Sequence, residues 1–497
     1  MLSKLLPELD LKTDIPVTGV TDDSRKVRQG DLFLAVAGSE SDGRKFISEV
    51  ADKSAAAILC DPPYEKEDVR GVPIFPVENL AFLRGEIAKE FYDDPSASMT
   101  IVAVTGTNGK TSCSQFIASA MSELGRACGV IGTMGSGFGA TLQNPGLTTP
   151  DAITLQKIMA ELRAQNAEAV SLEASSHGLD QGRLNGLQVN VGVFTNLTRD
   201  HLDYHQTLEA YRQAKQKLFQ WPGLDAAVIN LDDDFGQQLG LAVSLGVEIL
   251  TYSLSISSAS LWCRSLEFSL RGFKAAVATP WGDVHIDSPL LGDFNVSNLL
   301  AVVAVLGQQG FEVERISNCV SLLGNIKGRM DVIYREGAAT VVVDYAHTPD
   351  ALEKALKAVR LHTRSGTHQQ EKSEIWCVMG CGGNRDKGKR PLMGEIAARL
   401  ADHIVITDDN PRDEDSLLII NDIMQGIHAA AHVVVQSDRK KAIAYSLQHA
   451  QPDDVVLIAG KGHEEYQEIS GNRVAFSDYE EVARHTQSAK DRDNEKT

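Results

Sequence analysis

The residues with the clearest chemical potential lie between Thr105 and Thr111, in the string TGTNGKT. The string follows an apolar run and precedes residues whose apolar side chains recur at helical spacing, so it predicts a turn between a strand and a helix. Glycines let such a turn wrap a phosphate, Lys110 would neutralise its charge, and the Thr111 hydroxyl could bind Mg²⁺. Val104 stands where the usual phosphate-binding loop has its first glycine, so this is a shortened variant. The candidate nucleotide contacts are Gly106, Thr107, Asn108, Gly109, Lys110, Thr111 and Ser112.

Six further polar strings likewise follow short apolar runs. They read EASSHG from residue 173, TNLTRDHLDYH from 195, DYAHTP from 344, GCGGNRDKGKR from 380, TDDNPR from 407 and AGKGHEE from 459. In open α/β sheets the ligand crevice lies beyond the carboxyl ends of the strands. The seven strings together therefore predict one large composite site.

Apolar runs alternate with helical patterns along most of the chain, which favours an α/β fold with parallel sheets. At roughly 150 residues per domain, 497 residues predict about three domains, and a polar, proline-containing stretch at 92–96 predicts a linker. We therefore expect domains at 1–96, 97–328 and 329–497, the second a P-loop domain built on a parallel sheet and the third Rossmann-like. Strands of the third domain are expected at 340–344, 375–379, 403–407, 432–435 and 454–458.

The composition argues against several classes of protein. A net charge of −19 is unlike that of a nucleic-acid binder, which needs a basic face to meet phosphates. No apolar run approaches the ~18 residues of a membrane span, so we expect no membrane partner and a cytoplasmic location. The seven cysteines are odd in number and scattered, which favours reduced, buried thiols over disulfides or a zinc site.

Nine strings, in order and spread over nearly the whole chain, resemble the Mur ligase family, and within it the members that add diaminopimelate. They are TGTNGKT (105–111), EASSHGL (173–179), TNLTRDHLDYH (195–205), GDFNVSN (292–298), GRMD (328–331), VVDYAHTPDAL (342–352), GGNRDKGKRP (382–391), DDNPR (408–412) and AGKGHEEY (459–466). The resemblance implies an ATP-dependent amide-bond ligase of peptidoglycan precursor synthesis, with Mg²⁺ as cofactor and with three domains that bind the UDP substrate, ATP and the amino acid. Its substrates would be ATP, UDP-N-acetylmuramoyl-L-alanyl-D-glutamate and meso-2,6-diaminopimelate, joined through an acyl phosphate. We expect a monomer that contributes to cell shape and division.

A metal and catalytic set is predicted around the phosphate-binding loop. Glu173 and His201 follow strands and fit Mg²⁺ ligation beside Thr111. The resemblance implies that Lys215 is carbamylated by CO₂ and so becomes an anionic metal ligand, although from the residues alone Lys215 cannot be told from Lys217. The predicted catalytic residues are Lys110, Glu173, His201 and Lys215, and the predicted metal ligands are Thr111, Glu173, His201 and carbamylated Lys215. Three neighbours could take part or only shape the turn: Asp200, Asp203 and His205.

The resemblance also places residues around the two nucleotides. Asn295 would lie near the ATP base, Arg329 would meet phosphate and Asp344 ribose, so that closure of the third domain completes the ATP site. Asn295 could instead cap the apolar helix in which it lies. The UDP part of the substrate would meet Ser24, Ser39, Glu40 and Ser41, and the muramoyl-dipeptide part would meet Thr148, Thr149, Ser175, Gln181 and Arg183.

The string Asp409-Asn410-Pro411-Arg412 bears most directly on the choice of amino acid. Diaminopimelate differs from lysine by a carboxylate on its distal carbon, and a guanidinium grips a carboxylate with two hydrogen bonds that an ammonium cannot reproduce. Arg412 and Arg385 therefore suit the extra carboxylate, and Glu464 suits the distal ammonium; family members that add lysine lack this arginine. The predicted diaminopimelate contacts are Arg385, Asp409, Asn410, Pro411, Arg412, Gly460 and Glu464.

Three alternatives stay open. A related ligase could add lysine to the same precursor, or a folylpolyglutamate-type ligase could share the phosphate-binding loop; the DNPR string and the extra N-terminal domain count against both. A non-catalytic nucleotide-binding protein could share the fold, but it would not need the intact catalytic set. ATP turnover that requires both precursor and amino acid would separate an enzyme from a scaffold.

Overall fold

A computed structural model describes residues 1–7, 9, 14–38, 42–139, 141–143, 146–269, 271–334, 337–364, 373–428 and 432–485. They divide into two compact units, one within Met1–Leu261 and Ala301–Glu312 and the other within Trp262–Leu300 and Val313–Thr497. Both units are built from helices and sheets, so the α/β prediction is confirmed. Among the described residues, no helix is both long and apolar enough to cross a membrane.

The first unit begins with a small five-stranded sheet in the order β1-β2-β3-β5-β4, in which only β4 is antiparallel to its neighbour. Apolar side chains cover both of its faces, and this explains the unbroken apolar runs at β2 and β3. Its elements are α1 (Leu2–Leu5), β1 (Gly19–Thr21), β2 (Asp31–Ala35), α2 (Ile47–Asp52), β3 (Ala57–Cys60), β4 (Asp68–Val69), β5 (Val72–Pro76) and α3 (Leu80–Phe91).

A second sheet follows in the same unit, with the strand order β13-β12-β11-β6-β10-β7-β8-β9. Its strands are parallel except for the β7-β8-β9 meander. The elements are β6 (Thr100–Thr105), α4 (Lys110–Glu123), β7 (Cys128–Gly132), β8 (Gly135–Phe138), β9 (Thr141–Gln143), α5 (Ala152–Ala164), β10 (Ala169–Glu173), α6 (Ser176–Asp180), β11 (Val191–Phe194), α7 (Leu202–His205), α8 (Leu208–Gln216), β12 (Ala226–Asn230), α9 (Asp234–Leu239) and β13 (Glu248–Ser253).

The stretch after β13 forms an antiparallel meander that we did not predict. It consists of β14 (Leu261–Ser269), β15 (Gly272–Ala278) and β16 (Val284–Ser288), followed by the helices α10 (Asp293–Gln308) and α11 (Val313–Ser321). In β16 buried and exposed residues alternate strictly, so the strand has no continuous apolar run that would mark it in the sequence.

The second unit contains a six-stranded sheet in the order β17-β18-β22-β19-β20-β21, parallel except for β17. The five strands predicted here are confirmed to within one residue at each end. The elements are β17 (Asp331–Ile333), β18 (Thr340–Asp344), α12 (Pro349–Arg364), β19 (Ile375–Met379), α13 (Lys389–Leu400), β20 (His403–Ile406), α14 (Ser416–Met424), β21 (His432–Val435), α15 (Arg439–His449), β22 (Val455–Ala459), β23 (Tyr466–Ile469) and β24 (Asn472–Ala475).

Each predicted polar string follows a strand end. Three follow the adjacent strands β11, β6 and β10, where Phe194 pairs with Thr105 and Glu173 pairs with Val104. The other four follow β18, β22, β19 and β20, which are also adjacent. Each unit therefore gathers its strings at one edge of one sheet. That the two edges form a single composite site stays a prediction.

Candidate functional site

The TGTNGKT loop lies between β6 and α4, as predicted. Only glycine fits at Gly106, where a Cβ atom would come within 1.8 Å of the Thr195 hydroxyl oxygen. Lys110 Nζ donates to the carbonyl oxygens of Gly106 and Thr107, both at 2.8 Å, so the side chain curls back over the loop. The loop thus holds a cation over a turn at the N-terminus of a helix, which is the arrangement that binds phosphate.

Residues that follow β11, the strand next to β6, hold this loop in place with hydrogen bonds. Thr195 Oγ1 donates to the carbonyl oxygen of Asn108 at 2.6 Å, and the backbone N–H of Asn108 donates to Asn196 Oδ1 at 3.0 Å. Thr107 Oγ1 lies 3.1 Å from the hydroxyl of Tyr211 on α8. The bracing roles of Thr195, Asn196 and Tyr211 were not predicted, because nothing in their residue types separates them from ordinary turn and core residues.

Glu173 is buried at the end of β10, and its carboxylate accepts from the Thr111 hydroxyl at 3.0 Å. It also accepts from Thr133, through the backbone N–H at 2.8 Å and the hydroxyl at 3.2 Å. A Cβ atom at Gly132 would lie 2.1 Å from Glu173 Oε1, so this glycine makes room for the carboxylate. The structure therefore joins two predicted metal ligands, Thr111 and Glu173, and adds Thr133, a residue that we did not predict.

Lys215 and Lys217 have opposite environments, although the sequence alone does not distinguish them. Lys215 is buried, and its Nζ donates to the carbonyl oxygen of Gly106 at 2.7 Å, whereas Lys217 is half exposed and paired with Asp180. Burial, reinforced by the nearby charge of Lys110, lowers the pKa of Lys215 well below its ordinary value. Lys215 is therefore buried against the phosphate-binding loop in an environment that favours its neutral form.

His201 begins α7 in a left-handed conformation, with φ of +53°. Partial desolvation lowers the pKa of its imidazole to about 4 against the opposing effect of Asp200, so the ring is neutral and keeps a lone pair for a ligand. The ring centroid of His177 lies 4.8 Å away, and that of His205 lies 5.4 Å from His177. His177 belongs to the predicted string EASSHG but was not singled out there.

Four of the five residues predicted to hold the muramoyl dipeptide form one hydrogen-bonded chain, and the fifth, Thr148, bonds to Thr133 instead. Thr148 Oγ1 lies 3.0 Å from the Thr133 hydroxyl, and Thr149 Oγ1 donates to Ser175 Oγ at 2.9 Å. Arg183 links the rest: its Nη1 donates to the carbonyl oxygen of Thr149 at 2.7 Å, and its Nη2 donates to Gln181 Oε1, also at 2.7 Å.

Ser24, predicted to meet the UDP part of the substrate, is buried beside Lys53, which donates to its carbonyl oxygen. Ser39, Glu40 and Ser41 lie outside the described residues.

In the second unit, the DNPR turn lies against the β23–β24 hairpin. The backbone N–H of Arg412 donates to the carbonyl oxygen of Glu468 at 3.0 Å, and Ser470 N–H donates back to the Arg412 carbonyl oxygen at 2.7 Å. The Arg412 guanidinium donates from Nε to Glu468 Oε2 at 3.1 Å and from Nη1 to the Gly383 carbonyl oxygen at 2.8 Å. Arg385 is exposed on the same glycine loop. The two arginines border Gly382, where a Cβ atom would lie 2.9 Å from Arg412 Nη1 and 3.7 Å from Arg385 Cγ.

Asn410 lies at the centre of a buried polar cluster. Its Nδ2 donates to Glu464 Oε2 at 3.0 Å, and its Oδ1 accepts from Lys461 Nζ at 3.0 Å and from the Glu468 N–H at 2.9 Å. Lys461 is buried and also donates to Glu464 Oε2, at 2.8 Å. Gly460 is required beside Asp409, because a Cβ atom would lie 2.5 Å from its Oδ2. Lys461 was not predicted as a site residue. Its place in the sequence, between the predicted contacts Gly460 and Glu464, is the one signal that could have identified it.

The residues predicted to reach ATP from later in the chain have their own environments. Asn295 is buried in the first turn of α10, and its Nδ2 donates to the Leu291 carbonyl oxygen at 2.8 Å. The side chain therefore holds the residues before the helix by donating a hydrogen bond. It does not act as a helix cap that accepts from a backbone N–H. Arg329 lies over the ring of Tyr345, at 4.8 Å. Asp344 accepts from the Met330 N–H at 2.7 Å, and burial raises the pKa of its carboxyl to about 6.

Among the described residues, no group of three His, Cys, Asp or Glu side chains could by itself hold a metal ion. The donor set around the first loop nevertheless fits Mg²⁺, which prefers oxygen ligands and is usually held by one or two carboxylates together with substrate phosphates. The bonded pair of Thr111 and Glu173 supplies such oxygens next to the phosphate-binding loop.

Comparison with known proteins gives the class of this chain. Residues 16–92 match the Mur ligase family catalytic domain, residues 104–306 the Mur ligase middle domain, and residues 328–462 the Mur ligase glutamate ligase domain. The chain belongs to the Mur ligase family, has that family's three-domain α/β architecture, and is an ATP-dependent ligase.

Particular members of the family are similar over their whole length. The chain is 48% identical over 488 residues, covering 97% of both chains, to the UDP-N-acetylmuramoyl-L-alanyl-D-glutamate--2,6-diaminopimelate ligase of Pseudomonas aeruginosa. A solved structure of a ligase with the same name has 38% identity and a TM-score of 0.72, with 98% of both chains covered. A MurF ligase from Thermotoga maritima, solved with ADP, shares the fold at 20% identity and a TM-score of 0.62, over 90% of this chain and 95% of that one.

The raised pKa of Asp344 makes stability depend on pH. A carboxyl with a pKa of about 6 when folded and 3.8 when unfolded binds its proton more tightly in the folded state. Its stabilising contribution is therefore complete below about pH 4 and is lost as the pH rises through 6. Between pH 5 and pH 7.5, the free energy of unfolding of the wild type should fall by about 1 kcal/mol relative to Asp344→Asn.

Urea titrations of the nucleotide-free protein at the two pH values measure this difference. Asp453→Asn, which changes an exposed carboxylate in the same unit, is the matched control and should show no such trend. A difference between wild type and Asp344→Asn that does not change with pH would contradict the assignment.

Proposed function

We propose that this chain joins meso-2,6-diaminopimelate to UDP-N-acetylmuramoyl-L-alanyl-D-glutamate, with conversion of ATP to ADP and phosphate. One observation carries the proposal: hydrogen bonds of Asn410 connect the Glu464 carboxylate and, through Glu468, the Arg412 guanidinium in one cluster. Its amide donates to Glu464 and accepts from the backbone of Glu468, whose carboxylate holds Arg412. A carboxylate for the distal ammonium and a guanidinium for the distal carboxylate complement diaminopimelate. The similar ligases described above carry this activity in their names.

In the reaction, the γ-phosphoryl group of ATP passes to the D-glutamyl γ-carboxylate and forms an acyl phosphate. The amine of diaminopimelate then attacks the acyl carbon, phosphate leaves, and an amide bond remains. Both steps develop negative charge on phosphoryl or acyl oxygens, and Lys110, fixed over its loop, would stabilise that charge. The dipeptide that carries the reacting carboxylate would be held by Thr148, Thr149, Ser175, Gln181 and Arg183.

Thr111, Glu173, His201 and carbamylated Lys215 would hold Mg²⁺, which when bound neutralises the repulsion between the ATP phosphates and the carboxylate that attacks them. Carbamylation requires a neutral amine, because a protonated lysine has no lone pair with which to attack CO₂. The burial and lowered pKa of Lys215 favour that form. Lys217, half exposed and paired with Asp180, lacks this environment.

Several wider predictions belong to the same proposal. We place the domain boundaries at 1–96, 97–328 and 329–497, in agreement with the separate family matches at 16–92, 104–306 and 328–462. Closure of the third domain would bring Arg329 and Asp344 to the nucleotide. We expect a monomer that works in the cytoplasm, where ATP and UDP-linked precursors are made, and that supports cell shape and division through the wall precursor.

The proposed activity can be tested by following ADP release and the mass of the nucleotide product. We expect turnover only when ATP, the UDP-dipeptide and diaminopimelate are all present. L-lysine should react roughly 10⁴-fold more slowly, because it leaves the Arg412 charge without its partner. Lys110→Ala should stay folded and lose the activity. ATP hydrolysis without the amino acid would indicate another function, and equal rates with lysine would indicate a lysine-adding ligase.

Lys215→Ala should reduce turnover by about 1,000-fold, because it removes the group that becomes the anionic metal ligand. A small carboxylate such as acetate should restore part of the activity by occupying the vacated space. The matched control is Lys217→Ala, which removes a lysine from the same helix region and should stay within about twofold of wild type.

A readout independent of activity comes from ¹³C NMR of protein equilibrated with ¹³C-bicarbonate. Wild type and Lys217→Ala should both show a carbamate signal that Lys215→Ala lacks. A carbamate signal that persists in Lys215→Ala would rule out this lysine as the modified residue.

Arg412→Ala should lower kcat/KM for diaminopimelate by about 100-fold, or roughly 3 kcal/mol, the order expected on breaking a largely buried ion pair. The value for L-lysine should change much less, so the preference for diaminopimelate over lysine should fall by nearly 100-fold. Arg412→Lys should not restore it, because an ammonium cannot make the two-pronged contact. Arg399→Ala removes an exposed arginine of the same unit and serves as control. An unchanged preference in Arg412→Ala would move the assignment to Arg385.

A further inference from the structure

Glu468 is the carboxylate that pairs with the Arg412 guanidinium. Arg412 lies at a turn with φ of +53°, and within the part of the chain that the structure describes two hydrogen bonds hold its guanidinium, one at each of two nitrogens. Nε donates to Glu468 Oε2 at 3.1 Å, and Nη1 donates to the Gly383 carbonyl oxygen at 2.8 Å. A guanidinium has five N–H groups, so within the part of the chain that the structure describes three remain, all at the Nη1–Nη2 end.

The position of Glu468 is itself fixed by the backbone. Its N–H donates to Asn410 Oδ1 at 2.9 Å, and its carbonyl oxygen accepts from the Arg412 N–H at 3.0 Å. The Glu468 side chain is 28% exposed and that of Arg412 is 20% exposed, so the pair is partly screened from water. The carboxylate therefore occupies the Nε edge of the guanidinium from a strand that is tied to the same turn.

We infer that Glu468 is a positioning residue for amino-acid selection: it blocks the Nε edge of Arg412 and directs the Nη1–Nη2 end toward the distal carboxylate of the substrate. The inference rests on the proposed function, in which Arg412 receives that carboxylate. A guanidinium free to rotate would offer either edge and would pay rotamer entropy on binding, whereas one already held at Nε offers a single two-pronged face. Glu468 also balances the charge of Arg412 before the substrate binds.

The test compares two substitutions of Glu468 that differ in whether an acceptor for Arg412 Nε remains. Glu468→Gln keeps an oxygen that accepts from Arg412 Nε, while Glu468→Ala removes the acceptor. Losing one charge-assisted hydrogen bond should cost about tenfold. In Glu468→Ala, KM for diaminopimelate should therefore rise about tenfold with kcat within twofold of wild type, and kcat/KM for L-lysine should stay within twofold. Glu468→Gln should remain close to wild type for both amino acids.

Two further variants separate positioning from a general structural effect. In an Arg412→Ala background, adding Glu468→Ala should change kcat/KM for diaminopimelate by less than twofold, because the group through which Glu468 acts is gone. Glu465→Ala removes a neighbouring carboxylate that is 70% exposed and paired with Lys327, and it should behave as wild type. Melting temperatures of all variants show whether each is folded.

The outcomes distinguish this inference from the proposed function. A wild type that does not ligate diaminopimelate would overturn the proposed function. A wild type that does, together with an unchanged KM in Glu468→Ala, would overturn only the role of Glu468. Equal losses in Glu468→Ala and Glu468→Gln, or a full loss from Glu468→Ala in the Arg412→Ala background, would also overturn it, because neither is expected of a residue that orients the guanidinium.

Discussion

The carbonyl oxygen of Gly106 accepts hydrogen bonds from Lys110 Nζ at 2.8 Å and from Lys215 Nζ at 2.7 Å. Two ammonium groups on one carbonyl, one of them fully buried, would repel each other where water cannot screen the charge. Burial, together with the nearby charge of Lys110, lowers the pKa of Lys215 well below its ordinary value and so favours its neutral form, whereas Lys110 is only partly buried. The loop conformation that allows this depends on a glycine at position 106, since any side chain would collide with Thr195. The side chains of Lys110 and Lys215 thus share one backbone acceptor.

In the second unit, buried cations are stabilised by ion pairs with carboxylates. Arg439 and Asp478 are both fully buried and share two hydrogen bonds, at 2.8 and 2.9 Å. Lys461, buried as well, is paired with Glu464. An unpaired charge away from water costs several kcal/mol, so a cation intended for a substrate anion is more stable with a resident partner. Arg412 has Glu468 in that role. Within the described residues of this unit, Arg412, Arg439 and Lys461 therefore each have an acidic partner.

The elements that could be predicted are those whose burial leaves a periodic trace in the sequence. The five parallel strands of the third domain were predicted to within one residue at each end, because residues buried on both faces form unbroken apolar runs. The β14–β16 meander was not predicted; in β16 the alternation of buried and exposed residues interrupts the apolar pattern. Its absence from the prediction did not affect the site, because the predicted polar strings follow strands of the parallel sheets.

The sequence by itself determined the motifs, their order, the class of fold and the residue types at the nucleotide and amino-acid sites, because these depend on local spacing and on the chemistry of single side chains. It did not separate Lys215 from Lys217, two positions apart in the chain, since they differ only in what surrounds them. Nor did it identify Thr133, Lys461 or Glu468, whose roles come from partners 40, 51 and 56 residues away along the chain. Desolvation and hydrogen-bond partnership belong to the packed chain, so only the tertiary structure decided which ordinary residues hold the functional ones in place.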